Sequence, residues 1–197
     1  MSRSMLGNAN LYALQLRIDR EILEEVRSRR CPVDGGRLHV ANFPRKPRGA
    51  LCKLGHHDQT RLSLCCANRD CRRRVTPPSV RFLGRRVYLG AAVVLLSTMR
   101  HGTTGRRLAQ LRELYGVCPR TVQRWRNWWR EMFPQTPCWR WLRGRLRTPI
   151  AVATQPGFLL GLFWGDEMTS LLKLLKALSP LAMSALLLQN AGSFMGV

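Results

Sequence analysis

Two short stretches, CPVDGG (Cys31 to Gly36) and CCANRDCRRR (Cys65 to Arg74), constrain the fold more than any other part of the chain. Residues 31–80 are rich in Cys, Gly, Pro and Arg, with short extended pieces, RLHVANF and RLSLCC. Such a segment reads as a small loop-and-hairpin domain that cannot bury much core by itself. Cys31 and Asp34 stand in a C-x2-D spacing, and Gly35 and Gly36 follow where a tight turn needs positive φ and close approach of backbone amides to sulfur. Cys66 and Cys71 stand in a C-x4-C spacing. Cys65, one position earlier, points to the other side of an extended strand.

A structural zinc takes four N, S or O ligands in a tetrahedron, commonly brought as two close pairs on two turns. Cys31, Asp34, Cys66 and Cys71 form such a set, which makes zinc the expected cofactor. Carboxylate oxygen is a hard ligand, so this site is expected to be weaker than one of four thiolates. His39, Cys52, His56 or His57 are alternative sources of the fourth ligand. Without a metal, the same ribbon shape would carry three reduced, half-buried thiols. The chain has seven cysteines, and charge returns early in its N-terminal stretch at Arg17, Asp19 and Arg20. An odd cysteine count with no apolar signal-type core points to a reducing cytoplasm, and to metal binding rather than disulfides.

The chain divides into an N-terminal helix (1–30), the zinc-ribbon-like domain (31–80), a helix-turn-helix domain (85–133) and a C-terminal helical tail (150–197). The expected fold class is mainly α with a small β zinc-ribbon-like domain, a three-helix helix-turn-helix and a helical tail. Leu11, Leu14, Ile18, Ile22 and Val26 mark one face of the first helix by their spacings of three and four. In the tail, Met168, Leu171, Leu172, Leu175 and Leu178 share a face. That stripe favours a contact, on the chain's own core, in a homodimer or with a protein partner through 150–197. Pro180, Gln189, Asn190 and two glycines interrupt the uncharged stretch from Ala177 to Val197, so a membrane span is not expected.

Residues 85–133 read as three helices. The first runs from about Arg85 to Met99, with Gly102 as a stop. The second opens after Thr103 or Thr104, carries Leu108, Leu111, Leu114 and Tyr115, and ends at Gly116. In the third, GVCPRTVQRWRNWWREMF, Pro119 suits the first helical position, and Cys118 stands where a Ser, Thr, Asp or Asn cap is usual. Val122, Trp125, Trp129 and Met132 or Phe133 form a buried stripe, while Arg120, Gln123, Arg124 and Asn127 lie opposite. Those polar side chains suit guanine, adenine and phosphate edges from a helix in a major groove. An ordinary three-helix bundle with a solvated polar face is the competing reading. Trp125, Trp128, Trp129, Trp139 and Trp141 are expected in core and inter-domain packing.

Charge favours a polyanionic partner. The formal net charge is +22, from 33 basic and 11 acidic residues. Residues 72–149 hold 18 arginines, no lysine and only Glu113 and Glu131, or +16. Such an excess suits duplex DNA, and Arg72, Arg73 and Arg74 are further candidate DNA contacts.

CPVDGG, FPRKPRG, RLSLCCANRDCRRRVTPPSVRFLGRRVY and GVCPRTVQRWRNWW together resemble the zinc-ribbon plus helix-turn-helix, transposase-like proteins of bacterial insertion sequences. The likeness is nearest to small uncharacterised proteobacterial proteins and covers about residues 31–147. In that pattern the second knuckle position is Cys; here it is Asp34. The resemblance implies a DNA-binding role in a mobile element. Two-metal phosphodiester transfer needs several carboxylates on a domain of their own. After Glu131 only Asp166 and Glu167 remain, adjacent and on divergent helix faces. The chain is therefore expected to bind DNA without being an enzyme. The alternative is a non-enzymatic interaction scaffold working through the Leu-rich tail.

Overall fold

A computed structural model of the chain describes residues 2–84, 87–98, 109, 112–145, 156–183 and 187. It is mainly α-helical with a small antiparallel β part. Helix α1 (Ser2–Leu6) leads into α2 (Ala9–Ser28), whose first turn is capped by Asn8 Oδ1 accepting from Asn10 N–H at 2.9 Å. Five short strands follow: β1 (Leu38–Val40), β2 (Phe43–Pro44), β3 (Thr60–Arg61), β4 (Leu64–Cys66) and β5 (Arg74–Val75). Next come α3 (Gly90–Ser97), α4 (Pro119–Asn127), α5 (Pro137–Arg145), α6 (Pro156–Gly161) and α7 (Glu167–Leu178). Among the described residues no helix is long and apolar enough to cross a membrane.

The two extended pieces pair with each other. RLHVANF supplies β1 and β2, RLSLCC supplies β4 and the end of β3, and both pairings are antiparallel. The β1–β4 register sets Leu38 opposite Cys66 and His39 opposite Cys65. A period of two puts Leu38, Leu64 and Cys66 on the buried face and His39 on the exposed one; Val40, at the end of β1, breaks the alternation and is exposed. Strand β5 completes a three-stranded sheet in the order β1-β4-β5. Leu23 and Val26 of α2 cover it, joining Leu38, Leu62, Leu64 and Val75 in a small apolar cluster.

Helix α3 is the centre of the larger core. Its sequence, GAAVVLLS, is apolar all round, and all eight residues are buried, as expected of a helix wrapped on every side. It contacts α1, α4, α6 and α7. It starts at Gly90 rather than near residue 85, because Tyr88 and Leu89 are drawn into extended bridges with Arg48 and Phe82. Gly90 is also closely packed: a Cβ would lie 3.1 Å from Leu175 Cδ2 and 3.2 Å from Leu83 Cγ, so these side chains would have to give way. Leu171, Leu174, Leu175 and Leu178 of α7 are thus buried in the chain's own core, whereas Met168 and Leu172 are half-buried.

Helix α2 buries a face turned from the one its apolar residues mark: Leu11 and Val26 are buried as the spacing predicts, and Ile18 and Ile22 are only half-buried. Tyr12, Gln15, Asp19, Leu23 and Val26 turn inward with Leu11, and Leu14 stays exposed. The cause is a buried ion pair. Arg81 Nε donates to Asp19 Oδ2 at 2.8 Å, with both side chains almost wholly inaccessible. Asp19 also accepts from Ser79 Oγ at 2.7 Å and Val80 N–H at 2.7 Å. Arg81 donates further to the carbonyls of His57, Asp58 and Thr60. Arg61, also buried, donates to the carbonyls of Leu62, Pro77 and Ala182. These two arginines stitch α2, the strands, the segment 77–81 and the 3-10 turn Ser179–Ala182 after α7 together, and both are buried.

Helix α4 begins at Pro119, as the sequence predicts. Cys118 at the cap position makes no side-chain cap bond to an amide, an omission worth about 0.5–2 kcal/mol. Beyond Asn127 the helix widens into a π turn over Trp128–Met132, with Phe133 N–H donating to Trp128 O. The wider turn shifts the buried register by one, so Phe133 is buried and Met132 is 53% exposed. Trp125, Trp129 and Trp139 are buried in the larger core, and Trp128 and Trp141 pack against it. Of the expected second helix, residues 112–115 are helical; Gly102, Thr103, Thr104, Leu108 and Leu111 lie outside the described residues, as do residues 150–155 and most of 184–197.

Candidate metal centre and candidate nucleic-acid face

Two turns bring the predicted ligands together. In the first, Gly35 N–H donates to Cys31 O and Cys31 N–H donates to Gly36 O, both at 2.9 Å. Gly35 sits at φ +70°, where a side chain would be strained. At Gly36 the limit is space, since a Cβ would lie 3.0 Å from Cys66 Sγ and 3.1 Å from Asp34 Oδ1. The second turn follows β4, where Asn68 O accepts from the amides of Cys71 at 3.3 Å and Arg72 at 3.0 Å. Arg72 takes the left-handed conformation, φ +43°, that lets the chain re-enter the sheet as β5.

Cys31, Asp34, Cys66 and Cys71 then place one ligand atom each within 4.8 Å of all the others. A tetrahedral ion with metal–sulfur bonds of about 2.3 Å and metal–oxygen bonds of about 2.0 Å holds two sulfurs about 3.8 Å apart and a sulfur and oxygen about 3.5 Å apart. Cys31 Sγ and Cys71 Sγ are 3.8 Å apart. Cys66 Sγ lies 3.3 and 3.4 Å from the two Asp34 oxygens. The four residues therefore fit a metal ion in donor type and in spacing.

Burial pushes the Cys66 thiol up to about 12 and raises the Cys31 thiol as well. Backbone amides pull the other way, from Val33 and Asp34 at Cys31 and from Asn68 at Cys66. These donors are placed to stabilise thiolates once a cation is present. The Asp34 carboxyl is held well below the usual carboxylate range by hydrogen bonding from the Cys31 thiol first, then from the Gly36 amide. Cys66 Sγ–H and Asn68 Nδ2 also donate to it, Asn68 at 3.0 Å. Metal binding here must expel thiol protons, so affinity rises with pH.

The structure decides among the sources of the fourth ligand. His39 faces solvent opposite Cys65, Cys52 packs beside Tyr12 and Phe82, and His56 and His57 are exposed. None joins the cluster found among the described residues. Cys65 turns away to donate to Arg72 O at 3.4 Å, as its place one residue before Cys66 predicts. Asn68 was not singled out by sequence reasoning. Its signal is local, for Asn68 Oδ1 accepts from Asp70 N–H in the turn that its side chain also ties to Asp34.

The basic candidates fall on two elements. On α4, Thr121, Val122 and Trp125 are buried, and Arg120, Gln123 and Arg124 are exposed, with Asn127 half-buried. Asn127 Oδ1 accepts from Gln123 Nε2 at 2.9 Å and from Arg130 Nη2 at 2.5 Å. Arg124 Nη2 donates to Thr121 Oγ1 at 3.3 Å. Gly116, φ +61°, makes the turn before this helix. Beside the candidate metal cluster, Arg72 and Arg73 are exposed, and Arg73 lines an open concavity of about 570 Å³ with Asp34, Asn68, Asp70 and Cys71. Arg74 has a different occupation. It donates to Ala41 O at 2.7 Å and to Ser63 Oγ at 3.3 Å, and its guanidinium lies over Phe43, so it braces the sheet edge.

No family model, curated protein or solved structure matches the chain, and the reading of its function rests on the sequence and on this geometry.

Proposed function

We propose that the chain is a non-enzymatic DNA-binding protein that reads duplex DNA with a helix-turn-helix and carries a zinc-ribbon-like module beside it. The observation that carries this reading is the division of α4. Its inner side buries Val122, Trp125 and, past the π turn, Phe133, while its outer side offers Arg120, Gln123, Arg124 and Asn127 with no acid in the helix. A recognition helix requires this division, with donors for base edges on one side and a rigid core anchor on the other. Zinc is the metal proposed for Cys31, Asp34, Cys66 and Cys71, because sulfur-rich tetrahedral sets favour it. Service to a mobile element rests on the sequence resemblance.

Selection from random duplexes tests the reading. The native chain should enrich a defined sequence, and Arg124→Ala should relax that preference at a cost of about 1–3 kcal/mol. Arg73→Ala should weaken all sequences alike. Equal, sequence-blind losses at Arg120, Gln123, Arg124 and Asn127 would remove α4 from the groove. The scaffold reading has one observation in its favour: beside α7, most of whose leucines are buried internally, Phe158 is 40% exposed and Trp164 90% exposed.

A further inference from the structure

The basic run FPRKPRG is not used by either site above, yet the fold holds it in a defined place. From Ala41 to Gly49 solvent exposure alternates with a period of two, which marks an extended strap. Phe43, Arg45 and Pro47 turn toward the protein, and Pro44, Lys46 and Arg48 turn to solvent. Arg45 anchors the inner side: its guanidinium lies over the Phe82 ring at 5.2 Å, and Nη1 reaches Gly84 O at 3.5 Å.

The far end of the strap is fixed against the helices. Arg48 N–H donates to Val87 O at 3.1 Å, and Leu89 N–H donates to Arg48 O at 3.0 Å. Gly49, at φ +96°, presses on α3 so closely that a Cβ would lie 2.5 Å from Ala92 Cβ. Tyr88, the residue bridged to Arg48, donates its hydroxyl to Gly116 O at 3.0 Å and sets its ring on Trp125 at 4.9 Å. One tyrosine side chain therefore separates the strap from the turn that opens α4. Lys46 and Arg48 are two residues apart in an extended chain, so they project to one side about 6.6 Å apart.

We propose that this strap is a second DNA-contacting element, in which Lys46 and Arg48 hold phosphates of the duplex strand beside the N-terminal end of α4. The inference rests on the DNA-binding reading above. It adds a register-fixing contact that carries no sequence information. The rigid placement matters because an arm held by Gly49 and the Arg48–Tyr88 bridge loses little conformational freedom on binding.

The test compares salt dependence of duplex binding for the full-length metal-loaded protein, Lys46→Gln/Arg48→Gln, and a control of equal charge loss, Lys173→Ala/Lys176→Ala. Each lost phosphate contact should flatten the log affinity against log salt slope by about 0.9. The strap variant should therefore lose about 1.8 of slope, with its sequence preference kept, and the control should lose none. In a second measurement, duplex DNA should slow acetylation of Lys46 in the unmodified protein and leave Lys173 unaffected. Native binding with an unchanged strap-variant slope, an equal loss in the control, or unprotected Lys46 overturns the strap and leaves the α4 reading standing. Absence of salt-dependent binding by the native chain overturns both.

Discussion

The sheet region and the helical region are held by different means. The helical region is built on α3, buried on every side, and on a chain of aromatic contacts in which Trp129 and Trp139 each touch Phe133 within 5.4 Å. Its stability comes from apolar burial, which needs no ligand. The sheet region has strands of two or three residues and a small cluster in which Cys31 and Cys66 are themselves members. Remove those two from the apolar account and few buried side chains remain to offset the ordering of its loops. The difference teaches where a ligand would matter: a metal held by Cys31, Asp34, Cys66 and Cys71 would support residues 31–80, while the helices have an apolar core of their own. Asp19 and Arg81 join the two regions.

The largest way to break this comparison is a chelator, which tests the zinc proposed for the four-residue cluster. Structural zinc contributes about 10–16 kcal/mol of apparent binding energy in small zinc peptides. Chelation should speed amide exchange through residues 31–80 by orders of magnitude and leave α3 and α4 protected. Indifference of residues 31–80 to a chelator would assign their order to side-chain packing alone. Next in size is the joint. Arg81→Ala leaves Asp19 charged and buried without its partner, at an expected cost of about 3–5 kcal/mol. Urea unfolding followed in both regions should shift together; a shift confined to one would show that the ion pair does not couple them.

Asp34 sharpens the comparison within the sheet region. Asp34→Cys should raise zinc affinity by replacing a hard ligand with a soft one. Asp34→Ala should lower it at least as far as loss of an outer partner does, about 10–100-fold. Competition against a chromophoric chelator measures both, and equal affinities in all three proteins would exclude Asp34 as a ligand. The smallest expected effect is in α2, where both polar side-chain atoms of Gln15 are buried without a hydrogen-bond partner among the described residues. Gln15→Leu should stabilise the chain by about 1 kcal/mol in thermal or urea melts. A loss of stability would mean that the amide is satisfied in the folded protein.

Features set by local chemistry were legible in the sequence. Gly116, Cys118 and Pro119 marked the start of α4, and the two cysteine turns named all four residues of the cluster that could hold a metal. The stretches RLHVANF and RLSLCC were read as extended, and they pair. Features set by distant partners were not legible. The apolar period of α2 named Leu11 and Val26, which are buried, but also Leu14, which is exposed; the buried side adds Gln15 and Asp19, because Arg81, Ser79 and Val80 draw the carboxylate inward from about sixty residues away. The choice between Met132 and Phe133 depended on a π turn that no spacing rule announces. Arginine counting treated every guanidinium alike, although Arg61 and Arg81 are spent on buried carbonyls and Arg74 on the sheet edge.

The central claim is that this basic chain grips the backbone of duplex DNA, and its salt dependence tests that most directly. Binding of the full-length, metal-loaded protein to a short duplex, followed by fluorescence anisotropy from about 50 to 200 mM salt, gives the number of phosphates neutralised. With about six phosphate contacts, log affinity should fall against log salt with a slope of roughly −5. A flat response, or no binding at the lowest salt, would contradict the account.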